Sequence, residues 1–109
     1  MQHLQHIQKL AILHMVYQVI ASADGAVDED RDADAISEAL DLTGFSSIYS
    51  WDEALRLDPN DCMFHISMLA EADFEAFSNL LFSISRMGGN TEFRDTCTKH
   101  LIQMCKKQH

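Results

Sequence analysis

The sequence is poor in chain breakers, in cations and in paired cysteines. Across 109 residues it has one proline and four glycines. A β-sandwich or a disordered chain needs many more turn and breaker residues, so both are excluded. Basic residues are few: 8 Lys+Arg stand against 17 Asp+Glu, for a formal net charge of -9. Nucleic-acid binding needs a basic stripe to neutralise phosphate. The candidates are confined to Lys99, Lys106 and Lys107, so no nucleic-acid partner is expected. Cys62, Cys97 and Cys105 are an odd number with no CxxC pair. Cys97 and Cys105 lie two helical turns apart on one stripe, too far for a bond. This usage fits a reduced, cytoplasmic protein. The apolar stretch 10–23 is broken by His14, Tyr17 and Gln18, and the first residues lack a basic region. Neither a membrane span nor a signal peptide is expected.

What is present suits one globular domain over 1–109. Hydrophobic residues make up 47% and charged residues 23%, enough to build a core without staples. Residues 3–22 predict a first helix. Ile7, Leu10, His14, Tyr17 and Ala21 form one stripe, and Ile12, Met15, Val16 and Val19 make the opposite side apolar too. A helix apolar nearly all round belongs at the centre of its fold. Gly25 can take the left-handed conformation that stops it. Residues 28–42 predict a second helix, with Asp28 as N-cap. Ala33, Ile36 and Leu40 face inward, and Asp30, Asp34, Glu38 and Asp41 form an outer acidic ridge.

Residues 46–57 predict a short helix anchored by Trp51, Ala54 and Leu55. Asp58-Pro59 then gives a cap followed by proline at the first helical position. Cys62, Met63, Ile66, Leu69 and Ala70 face inward from the helix that follows. Residues 73–87 are amphipathic through Phe74, Phe77, Leu81 and Ile84, and Gly88-Gly89 breaks the pattern. The last helix, capped by Asn90 or Thr91, carries Phe93, Cys97, Leu101 and Met104 inward. No run alternates with period two, so the class is all-α: a compact bundle of five to seven helices. Short turns favour antiparallel neighbours. Two helical hairpins, each turning on glycine at 23–27 or 86–90, suggest a pseudo-twofold.

Residues 10–28 end in Ala23-Asp24-Gly25-Ala26-Val27. This stretch resembles the TerB-like family, named for tellurite-resistance proteins. That family also includes the helical N-terminal region of a membrane co-chaperone related to DnaJ. The resemblance spans roughly residues 4–105. It implies a bundle of about seven short helices, a link to tellurite and other chemical stress, and divalent-metal binding in acidic members. The family pattern places a Glu four residues beyond the Val, where this chain has Arg31. At the second turn Met87-Gly88-Gly89 stands in place of an Asp-Gly. Roles of those family acids therefore do not carry over.

The acidic turn is the first candidate site. Aligned on Gly25, an EF-hand loop would put Ile20 at position 1 and Arg31 at position 12. Neither can be the oxygen ligand that calcium needs there, so an EF-hand is excluded. A looser oxygen site for Mg²⁺ or Ca²⁺ from Asp24, Asp28, Glu29 and Asp32 stays open beside a turn cap with a solvated face. Of six histidines, His3 and His6 are one turn apart and His14 lies two turns on, which gives no zinc-ligand pair at H-x-x-x-H spacing. His14 reads as a hydrogen-bonded core residue, and His65, His100 and His109 as surface ones. No G-x-S-x-G, GxGxxG or P-loop occurs, and Cys97 and Cys105 read as inert filler on an inward face. No enzyme is expected.

Partner binding is the remaining class. Tyr49 and Trp51 either belong to a segment that lids the bundle or form a docking patch. Asp30, Asp34 and Glu38 would extend such a surface. The expectation is a non-catalytic interaction or stress-sensing module with an acidic helix-turn-helix face and a protein partner, leaving a homodimer open. The alternative is a weak divalent-metal-binding stress protein. Eight acids lie in residues 24–41 against the single Arg31, so the charge is a local field and not a uniform coat.

Overall fold

The computed structural model describes residues 3–25, 27–28, 30–45, 48–87 and 91–106; the side chains of residues 23, 24 and 48 fall outside that description. Among the described residues all regular structure is helical: α1 (His6–Asp24), α2 (Ala33–Thr43), α3 (Ile48–Leu55), α4 (Pro59–Ser67), α5 (Glu71–Ser85) and α6 (Thr91–Lys106). The all-α bundle read from the sequence is the fold observed. No helix among the described residues is long and apolar enough to cross a membrane.

Helix α1 is the axis of the bundle. Every residue from 10 to 16 is buried, so no face of that segment meets water. It packs against each of the other five helices. This follows from its all-round apolar pattern, since each side needs a neighbour to cover it. The Gln8 side chain accepts from the Gln5 N–H at 3.1 Å at its start. At its end Gly25 adopts φ 75°, and its N–H donates to the Ala21 carbonyl at 2.7 Å. The buried side chains form one cluster, into which α2 sends Ala35, Ile36 and Ala39 and α5 sends Phe77, Leu80, Leu81 and Ile84.

Several boundaries and faces differ from the sequence reading. Helix α2 starts at Ala33, not at residue 28, because a closed turn occupies 28–32. Ala33 is exposed, and its inward place is taken by Ala35. Ala70 is exposed and precedes the first turn of α5. In α6 the inward stripe is Arg94, Thr98, Leu101 and Cys105, while Phe93 is 63% exposed. The helix is rotated by about one residue, 100°, from the expected register. Asp58 caps α4 as expected, accepting from the Asn60 and Asp61 N–H groups with Pro59 in the first turn. Gly88, Gly89 and Asn90 lie outside the described residues.

Candidate functional site: an acidic turn clamped by buried arginine

The turn from Asp28 to Asp32 is a reciprocal unit. The Asp28 Oδ1 accepts from the N–H groups of Asp30 at 3.0 Å and Arg31 at 3.1 Å. The Asp28 N–H in turn donates to Asp32 Oδ2 at 3.1 Å. The Asp32 N–H closes the turn on the Asp28 carbonyl at 2.8 Å. Local acids thus satisfy backbone donors of the turn itself, ahead of α2, whose N-cap Asp32 gives its own side chain to the arginines and the Asp28 N–H and not to the helix start.

Asp32 lies 3% exposed at the end of this turn. The Arg31 guanidinium grips it with two bonds, Nη2 to Oδ2 at 2.8 Å and Nε to Oδ1 at 3.2 Å. From the far side Arg94 Nη2 donates to Oδ1 at 3.2 Å. With the Asp28 N–H, the carboxylate accepts four bonds, which is about its full capacity. Burial pushes the Asp32 carboxyl up. The bonds from Arg31, the Asp28 N–H and Arg94 outweigh that, and hold it below its ordinary 3.8.

Arg94 is itself only 1% exposed. Besides Asp32 it donates to the Ile20 carbonyl near the end of α1, at 3.5 Å, and to the Met87 carbonyl after α5. One side chain therefore ties α6 to α1, to the acidic turn and to the exit of α5. The sequence reading missed it. The available signal was its place one, two and three turns before Thr98, Leu101 and Cys105, on the stripe that faces inward. Beside this clamp opens a cleft of about 270 Å³ bordered by Arg31, Asp32, Asp34, Ala35 and Met87.

The expected metal set is therefore not assembled as read. Asp32 has its acceptor positions filled by two guanidiniums and an N–H, and a hard cation beside two arginines is repelled. Asp28 is exposed and its Oδ1 caps the turn. Glu29 and the Asp24 side chain lie outside the described residues. Among the described residues no cluster of three or more His, Cys, Asp or Glu is arranged to hold a metal ion. His3 and His6 turn to different acids, Asp73 at 2.9 Å and Glu53 at 3.5 Å.

The expected partner set divides. Asp30 and Asp34 are exposed, as is Asp41 further along α2. Glu38 is half-buried, and its Oε1 accepts from Ser83 Oγ at 3.1 Å, which pins α2 to α5. Trp51 is 2% exposed and meets Tyr17 edge-on at 6.4 Å. It is a core residue and cannot anchor a partner without opening the bundle. Tyr49 is 79% exposed. His14 is buried as expected, with Nδ1 donating to the Ala54 carbonyl at 2.9 Å and Nε2 accepting from the Gln18 amide at 3.0 Å. Burial pushes the Cys62 and Cys105 thiols up to about 11, with Asp61 and Asp58 adding to the effect at Cys62. Cys97 is raised too by burial, against a bond from Ser22. Such thiols are poor nucleophiles.

No family model, curated protein or solved structure matches the chain.

Proposed function

We propose that this protein is a non-catalytic docking module whose acidic turn and α2 face receive a cationic segment of a protein partner. The observation that carries this reading is the exposure of Asp30, Asp34 and Asp41 along the turn and the outer side of α2. All three are exposed, while the opposite side of α2 is anchored by buried Ala35, Ile36 and Ala39. Asp34 and Asp41 lie seven residues apart on one face of α2, two turns or about 10.5 Å along the axis, a repeat that lysines two turns apart on a partner helix match. Arg31, the one cation in this stretch, is engaged with Asp32 and so does not cancel the outer field. The resemblance of residues 23–27 to TerB-like proteins suggests chemical-stress response as the setting. Divalent-cation binding is the weaker reading because Asp32 is withdrawn from its ligand set.

The test is binding of a fluorescent lysine-rich helical peptide to the full chain. Asp30→Asn, Asp34→Asn and Asp41→Asn combined should weaken it at least about tenfold, since three close charge pairs are lost. Affinity unchanged by the triple substitution would overturn the proposal.

A further inference from the structure

A second surface lies on α5 and α6, on different helices from the acidic ridge. Leu69, Phe74 and Ile102 floor an open groove of about 470 Å³ whose α5 wall carries Glu71 and Glu75 and whose α6 wall carries Lys106. All three of these charged residues are exposed. Lys99, also exposed, falls three residues before Ile102 and seven before Lys106, on the same stripe of α6. Just before Leu69 in the chain, Met68 is 65% exposed, and Phe64, one turn earlier on α4, is 57% exposed.

This charge arrangement discriminates between occupants. A helix of one charge sign meets one wall well and is repelled by the other. A second copy of the chain, related by a twofold axis running along the groove, meets both walls with the opposite charge, because that rotation lays the α5 wall of each copy on the α6 wall of the other. We propose that the α5–α6 groove is the interface of a homodimer, with Phe74 and Ile102 at its centre and Glu71 and Glu75 of each copy facing Lys99 and Lys106 of the other. Two helices about 23 Å long and about 10 Å wide present a face of about 450 Å². A stable complex buries about 800 Å² per partner, so the dimer is a weak one.

Sedimentation velocity on the full chain from about 10 µM to about 1 mM covers the dissociation constants of a weak dimer. The mass should rise from 12.4 kDa towards twice that value. The chain with Glu71→Lys and Glu75→Lys, and the chain with Lys99→Glu and Lys106→Glu, should each dimerise at least about tenfold more weakly. Mixed one to one they should dimerise again, since both charge clusters are then complementary, and unchanged circular dichroism shows each variant folded. A wild-type monomer throughout the range overturns the proposal and gives the groove to another partner. A dimer indifferent to both reversals, or a mixture that fails to recover, overturns it as well.

Discussion

Burying an arginine removes a full charge from water, which costs several kcal/mol unless the charge is paired and hydrogen-bonded. Arg94 meets both conditions at its two terminal nitrogens, through Asp32 and two backbone carbonyls, while its buried Nε has no partner among the described residues. Removing it leaves Asp32 without the partner on its buried side. Arg94→Met should cost about 3 kcal/mol in urea unfolding. Arg31 has a side chain 42% exposed, and Arg31→Met should cost about 1 kcal/mol or less because water screens that pair. Asp32 also predicts an acid response. Its carboxyl is depressed in the fold relative to 3.8 in the unfolded chain, so the unfolded chain binds the proton more readily. The stabilisation is complete above the unfolded value and is lost as pH falls through the lower folded one. Unfolding followed against pH should show that acid-side loss, and Asp32→Asn should flatten it. The three thiols should react slowly with a disulfide reagent in the native state at pH 8 and fast in denaturant, with half-buried Cys97 first. At this scale His14 was legible, because a histidine inside an apolar stripe has nowhere else to go. Arg94 was not, because its counter-charge lies 62 positions away in sequence.

At the scale of elements, local chemistry set the stops better than the starts. Gly25 and Gly44 end α1 and α2 at φ 75° and 81°, a region that costs other residues about 1 kcal/mol. A Cβ at Gly25 would meet nothing within 4 Å. Gly25→Ala should therefore lose about 1 kcal/mol from backbone strain alone, measured by thermal melting. Asp58→Ala, which removes a cap with two bonds, should lose about 1 kcal/mol. The start of α2 was misplaced because Asp28 does cap a turn, as its residue type suggests. Asp32, at φ -100° and ψ 11°, then departs from helical torsions to reach the two arginines. The face of α6 was misread for a related reason: periodicity alone let Phe93 and Arg94 compete for the interior, and hydrophobicity chose Phe93. The clamp chose Arg94.

For the whole molecule, the central place of α1 followed from its composition, and its contacts with all five other helices agree. The meeting of the acidic turn with the exit of α5 was not readable, since it depends on long-range packing. That meeting gives the acidic face its character. Arg94 from the buried side and Arg31 from the surface both pair with Asp32, while Asp30, Asp34 and Asp41 stay outside. The net charge of -9 becomes a directed field at one edge of the bundle. Acids also lie elsewhere on the surface, among them Asp52, Glu53, Glu71, Glu75 and Glu92, so where a cation settles is informative. The most direct measurement is a map of backbone amide shifts while the lysine-rich peptide is titrated into the full chain at physiological salt. Shifts concentrated in residues 28–42 and at Met87 are the predicted result. Shifts spread evenly over the acidic surface, or centred on α3 or α5, would contradict it.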